Sequence, residues 1–74
     1  MLNSVWIVVL ERDYEGIEIL NVTSTLAKAF DIARRDSIKY SRSSLLDWRW
    51  DEDERLYRAP TNNGQYKIED WQII

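Results

Sequence analysis

Ser4-Val5-Trp6-Ile7-Val8-Val9-Leu10 is the stretch around which the rest must be arranged, because no other of comparable length in the chain is as apolar. Side chains alternate faces along a strand, so Val5, Ile7 and Val9 point one way and Trp6, Val8 and Leu10 the other. Neither set tolerates water, which marks a central strand that needs a cover on both sides. The remaining residues divide into those that cover a face and those left over for a partner.

Seventy-four residues allow one domain, and at this size folding buries only roughly 60% of the surface of the unfolded chain. Such domains draw extra support from disulfides, a metal or a second subunit. The chain has no Cys and no His, which removes disulfides and the usual zinc, haem and iron–sulfur sites, and leaves an all-oxygen Mg²⁺ or Ca²⁺ site as the one conceivable metal class. No cofactor is expected, and self-association, most simply a homodimer, is. A net charge of −3 argues against duplex DNA, whose phosphates call for clustered Lys and Arg. It suits a cationic partner surface instead. The apolar run has no basic segment before it and falls far short of the ~20 residues of a membrane span, so a cytoplasmic chain without a membrane partner is expected.

Asp13-Tyr14-Glu15-Gly16 follows the first strand as a turn, with Gly16 free to adopt a positive φ. Ile17-Glu18-Ile19-Leu20-Asn21-Val22 returns as a second strand, with Ile17 and Ile19 on one face, Glu18 on the other and an outer face that is partly wet. Thr23-Ser24-Thr25 offers capping hydroxyls, and a helix is predicted from near Ser24 to about Tyr40. Leu26, Ala29, Phe30, Ala33, Ser37 and Tyr40 fall on one stripe of it, which is the core face. Its small residues bring the helix close to the sheet, and Phe30 is the large anchor. Lys28, Arg35 and Lys39 lie opposite, with Asp31 four residues before Arg35. No Gly or Pro stops the helix, so its end is open by a few residues.

Ser41-Arg42-Ser43-Ser44 links to a segment of aromatics among charges. Leu46, Trp48 and Trp50 alternate with Asp47 and Arg49, Asp51-Glu52-Asp53 interrupts, and Arg55 to Ala59 resumes, which predicts a second hairpin; a helix through 45–56 is the alternative. Pro60 closes that strand, and Thr61-Asn62-Asn63-Gly64, which carries Asn-Gly, signals the next hairpin turn. In the final strand the apolar phase runs 66, 68, then 71, 73, so a β-bulge near Glu69-Asp70 is predicted. The fold class expected is α+β, of order β-β-α-β-β-β, with one antiparallel sheet and a single helix across one face.

Val5-Trp6-Ile7-Val8-Val9, the Gly16 turn, Val22 to Ala29 and Tyr66-Lys67-Ile68-Glu69-Asp70-Trp71 resemble a loose group of short phage and bacterial proteins. Genes of that kind often encode inhibitors or accessory, anti-defence-like factors that act by binding, so the resemblance implies a small binding protein. The segment from Trp48 to Tyr57 departs from the shared pattern.

Two groups of residues are candidates for recognition. Trp48, Trp50 and Tyr57, with Asp51, Glu52 and Asp53 around them, have the composition of an interface anchor with an ionic rim for another protein. The plainer account makes the tryptophans hairpin core capped by a solvated turn. Arg34, Arg35, Lys39 and Arg42, with Lys28 nearby, could take a small anionic ligand such as a nucleotide signal, with Tyr40, Trp48 or Trp50 stacking on it. Here the plainer account is a wet helix back whose cations favour the helix C-terminus. Without His, no hydrolase triad can be assembled from Ser37, Ser41, Ser43 and Ser44. The expectation is therefore a non-catalytic binding protein acting by protein contact, and the alternative is an oligomeric binder of a small anion.

Overall fold

The structure, a computed structural model, describes residues 3–42 and 45–73. Its elements are β1 (Asn3–Arg12), β2 (Gly16–Thr23), α1 (Leu26–Lys39), β3 (Arg49–Asp51), β4 (Leu56–Thr61) and β5 (Gly64–Ile73). The strands form one open sheet of order β2-β1-β5-β4-β3, with every neighbouring pair antiparallel. The fold is α+β in the expected order, and the apolar first strand is interior, between β2 and β5.

α1 covers one face of this sheet. Val8 and Leu10 on β1, Tyr66 and Ile68 on β5, and Ala29 and Ala33 on α1 make the buried core. Ser37, one turn after Ala33, is equally buried. Small side chains here let the helix axis approach the strands, as the stripe predicts. Tyr40 does not belong to it: the helix has ended, and the ring is 53% exposed.

Thr25 caps the helix, its hydroxyl accepting from the Lys28 N–H at 3.2 Å. At the other end Ser41 takes a left-handed φ of 52°. The Arg42 N–H then donates to the Ser37 carbonyl and the Ser41 N–H to the Ile38 carbonyl, the paired bonds of a Schellman stop. A serine thus does what glycine usually does.

Three predicted details are corrected. β5 runs against β1 without interruption from Asn3↔Ile73 to Arg12↔Gly64, so there is no bulge near Glu69-Asp70. The phase changes because Tyr66 and Ile68 lie under the helix whereas Trp71, an odd number of residues on, pairs with Val5 on the other face. A bulge does exist in β2, where the pairing passes from Val8↔Asn21 to Val9↔Ile19 and leaves Leu20 unpaired, packed against the core. In the second hairpin only Arg49–Asp51 joins the ladder; Leu46 and Trp48 precede the strand and pack on the core. The turn between β4 and β5 falls on Thr61-Asn62-Asn63-Gly64 as expected, with Asn62-Asn63 at its tip and Thr61 paired to Gly64. A Cβ at Gly64 would stand 2.1 Å from the Glu11 carbonyl oxygen, so close strand approach, not a positive φ, calls for glycine there. Pro60 lies inside β4 rather than beyond it, beside a β3 that pairs only as far as Arg58. Its missing N–H therefore breaks no ladder on that side.

Candidate functional site

The sheet has a second face, and no element of the described chain lies across it. Register places Val5, Ile7, Val9 and Glu11 there from β1, Ile17, Ile19 and Val22 from β2, and Gln65, Lys67, Glu69 and Trp71 from β5. β4 adds Leu56 and Arg58, and β3 adds Asp51. The C-terminal hairpin, which could have folded over this face, extends the sheet instead.

This open face is divided. On β1 and β2 it is apolar, and Ile17 (66% exposed), Ile19 (65%), Val22 (52%) and Trp71 (54%) stand in water beside the half-buried Val5 and Ile7. Val9 is buried between Ile19 and Lys67. On β5 and β4 the face carries charge around the buried Leu56: Lys67 Nζ sits 2.7 Å from Glu11, Arg58 Nε donates to Asp51 at 3.0 Å, and Glu69 stands beside Leu56. The hydrogen bond from Lys67, then that from Gln65, holds the Glu11 carboxyl below its ordinary value. Asp51 is lowered first by the Glu54 backbone N–H and then by Arg58.

The aromatic segment is placed on the helix side. Trp48 packs against Phe30 with ring centroids 5.0 Å apart, and Phe30 meets the edge of Tyr57 at 5.3 Å. Trp50 lies 4.9 Å from Tyr57, is 40% exposed, and donates its Nε1–H to Glu52 at 2.6 Å. The six residues expected to anchor a partner therefore do not form one exposed surface. Trp48 and Tyr57 pack on the core, Asp51 ties the turn to Arg58, and Trp50, Glu52 and Asp53 are exposed.

Three of the four basic candidates, Arg34, Arg35 and Arg42, are drawn to carboxylates of the chain itself. Asp31 receives Arg34 at 2.8 Å and Arg35 at 2.9 Å, the second being the predicted four-residue pair. Arg42 donates to Asp36 at 3.2 Å, with both side chains mostly buried. The Tyr66 hydroxyl donates to the same carboxylate oxygen at 2.6 Å. Burial, and then the Asp36 carboxylate, push the Tyr66 phenol well above its ordinary value. Arg42 also stacks over Tyr40, as does Lys39. A groove of about 520 Å³ between α1 and residues 45–48 does bring Arg34 to Trp48, with Phe30, Ile38 and Leu46 along its walls. Ser43 and Ser44 lie outside the described residues.

The opening strand already called for a cover on both faces, with Val5, Ile7 and Val9 on one of them and Ile17 and Ile19 sharing a side of β2, but sequence reasoning singled out neither the share of Trp71 in that face nor Asp36. The signal for the first was present in the shifted phase of the last strand, which reports a change of apolar face. No family model, curated protein or solved structure matches the chain. Among the described residues no helix is long and apolar enough to cross a membrane.

Proposed function

We propose that the chain is a small non-catalytic binding protein, of the inhibitor or accessory type, that acts by protein contact through the open face of its sheet. One observation carries this: Ile17, Ile19, Val22 and Trp71 share a face and are each more than half exposed. Single exposed apolar residues are ordinary on any surface, whereas a contiguous group beside a charged margin has the make-up of an interaction site. The anionic-ligand alternative is less well supported, because Arg34, Arg35 and Arg42 are already paired with Asp31 and Asp36. An incoming anion would have to displace those carboxylates.

The test is affinity capture from the native host with four baits: wild type, Ile19→Lys with Val22→Lys, Trp50→Ser, and Arg35→Ala. The expected result is a protein retained by wild type, Trp50→Ser and Arg35→Ala and lost with the double lysine variant, while circular dichroism reports all four folded. Retention by the double variant overturns the open face as the contact surface. Selective loss with Trp50→Ser would move the site to the aromatic segment.

A further inference from the structure

The open face is too regular in its division to be an incidental exposure. β1 and β2 make its apolar half from Ile7, Val9, Ile17, Ile19 and Val22, and Trp71 extends it past β1. The neighbouring half carries two ion pairs internal to the chain, Lys67 on Glu11 and Arg58 on Asp51, with Glu69 beside them. An identical surface turned about a twofold axis near the apolar half brings that patch onto its own counterpart and asks nothing of the charged half.

Resting on the open face as a contact surface, we infer that its occupant is a second copy of this chain, bound face to face about a twofold axis close to the β1–β2 pair. That axis lays the apolar half on its counterpart and leaves the ion pairs as a hydrated rim. Size is consistent with it. Strand spacing gives the five-stranded face a width of roughly 24 Å, and Ile17, Ile19, Val22 and Trp71 are its exposed large apolar side chains. A stable interface uses about 800 Å² per partner, with an apolar centre and a polar margin making up the total. Need is consistent too, since 74 residues with no Cys and no His lack the other staples of small domains.

The competing self-contact is edge to edge along β2, which has an outer side free of neighbours in the sheet. The strand is blunted against it. Its ladder is broken by the bulge at Leu20, and the Asn21 side chain already accepts the Val22 N–H at 2.8 Å. Bulges and satisfied donors are how edge strands avoid pairing with their own kind. Face-to-face packing needs none of those groups.

Light scattering at micromolar concentration is expected to give twice the 8.9 kDa chain mass. Ile19→Lys should raise the dissociation constant by more than about tenfold, because the dimer would have to bury an unpaired charge. Should that variant fail to fold, single cysteines decide the matter, since the wild-type chain offers no thiol of its own. A short bismaleimide should join Ile19→Cys into a covalent dimer and leave Arg35→Cys monomeric. Two results overturn the inference: a wild-type mass of 8.9 kDa unchanged on tenfold concentration, or cross-linking at Arg35→Cys as efficient as at Ile19→Cys. A monomeric wild type whose host capture still depends on Ile19 removes the second copy but keeps the contact face. Monomer with capture indifferent to Ile19 removes both.

Discussion

Phe30 shows how one side chain joins parts of the molecule that sequence treats separately. Its ring lies between Trp48, which precedes β3, and Tyr57 on β4, so it clamps the helix to the late hairpin as well as to the core. Phe30→Ala should cost about 3 kcal/mol, the low end for Phe truncation because the ring is only partly buried, and a marginal small domain would feel that as near-unfolding. Arg35→Ala, an exposed control, should stay within about 0.5 kcal/mol. Denaturant titration checks both, and a loss under ~1 kcal/mol at Phe30 would refute the clamp. Phe30 was legible in the sequence from helical periodicity. Its partners were not, because Trp48 and Tyr57 meet it across turns that no local pattern specifies.

α1 illustrates what an element takes from its own sequence and what it takes from outside. The hydroxyls of Thr23-Ser24-Thr25 and the Ala29, Ala33, Ser37 stripe mark a start near Ser24 and the buried face from sequence alone, and Thr25 is the one that caps. The stop is different, since Ser41 holds a φ of 52° that L-residues seldom adopt. Arg42 is fixed beside it by Asp36, and the Asn62 N–H donates to the Arg42 carbonyl at 3.0 Å, so contacts from the β4–β5 turn hold the cap in place. Ser41→Gly removes the steric cost and should stabilise the fold by roughly 0.5–1 kcal/mol, raising the thermal midpoint by a few degrees in calorimetry. A lower midpoint would show that the serine side chain itself supports the cap. The final strand teaches the same lesson at its Tyr66-to-Trp71 phase change. Alternation identifies which residues share a face, but only the sheet shows that one strand can be apolar on one side at its start and on the other at its end.

For the whole molecule, the titrating groups on the two sides of the sheet set a stability plateau. On the open face Glu11 is held below its usual 4.5, and at the sheet edge Asp51 is held below its usual 3.8. As pH falls through those usual values the unfolded chain takes up protons first, so their contribution is present above that range and is lost as the folded carboxylates protonate. Under the helix Tyr66 is raised above its usual 10.0. The folded chain keeps that proton while the unfolded chain releases it, so the contribution is full below pH 10.0 and declines as pH rises further. Denaturation midpoints against pH should fall below about 4.5 and again above about 10, and Tyr66→Phe should flatten the alkaline fall while leaving the acid one. An unchanged alkaline limb in that variant would show that other groups set it.

Element order, the central place of the first strand, the approximate helix start and the small-residue face of the helix are all written in the chain. Those follow from local periodicity, capping and propensity, which need no knowledge of distant residues. That the C-terminal hairpin extends the sheet beyond β5 instead of covering β1 depends on pairing between strands far apart in the chain. The same is true of the basic residues, whose placement depended on where Asp31 and Asp36 stood, and of Trp48, whose burial depended on Phe30. Strand order and side-chain partnership are long-range choices among surfaces of similar chemistry. Alternation gives each strand two faces, but which face is left for a partner is settled only when all five strands have found their neighbours.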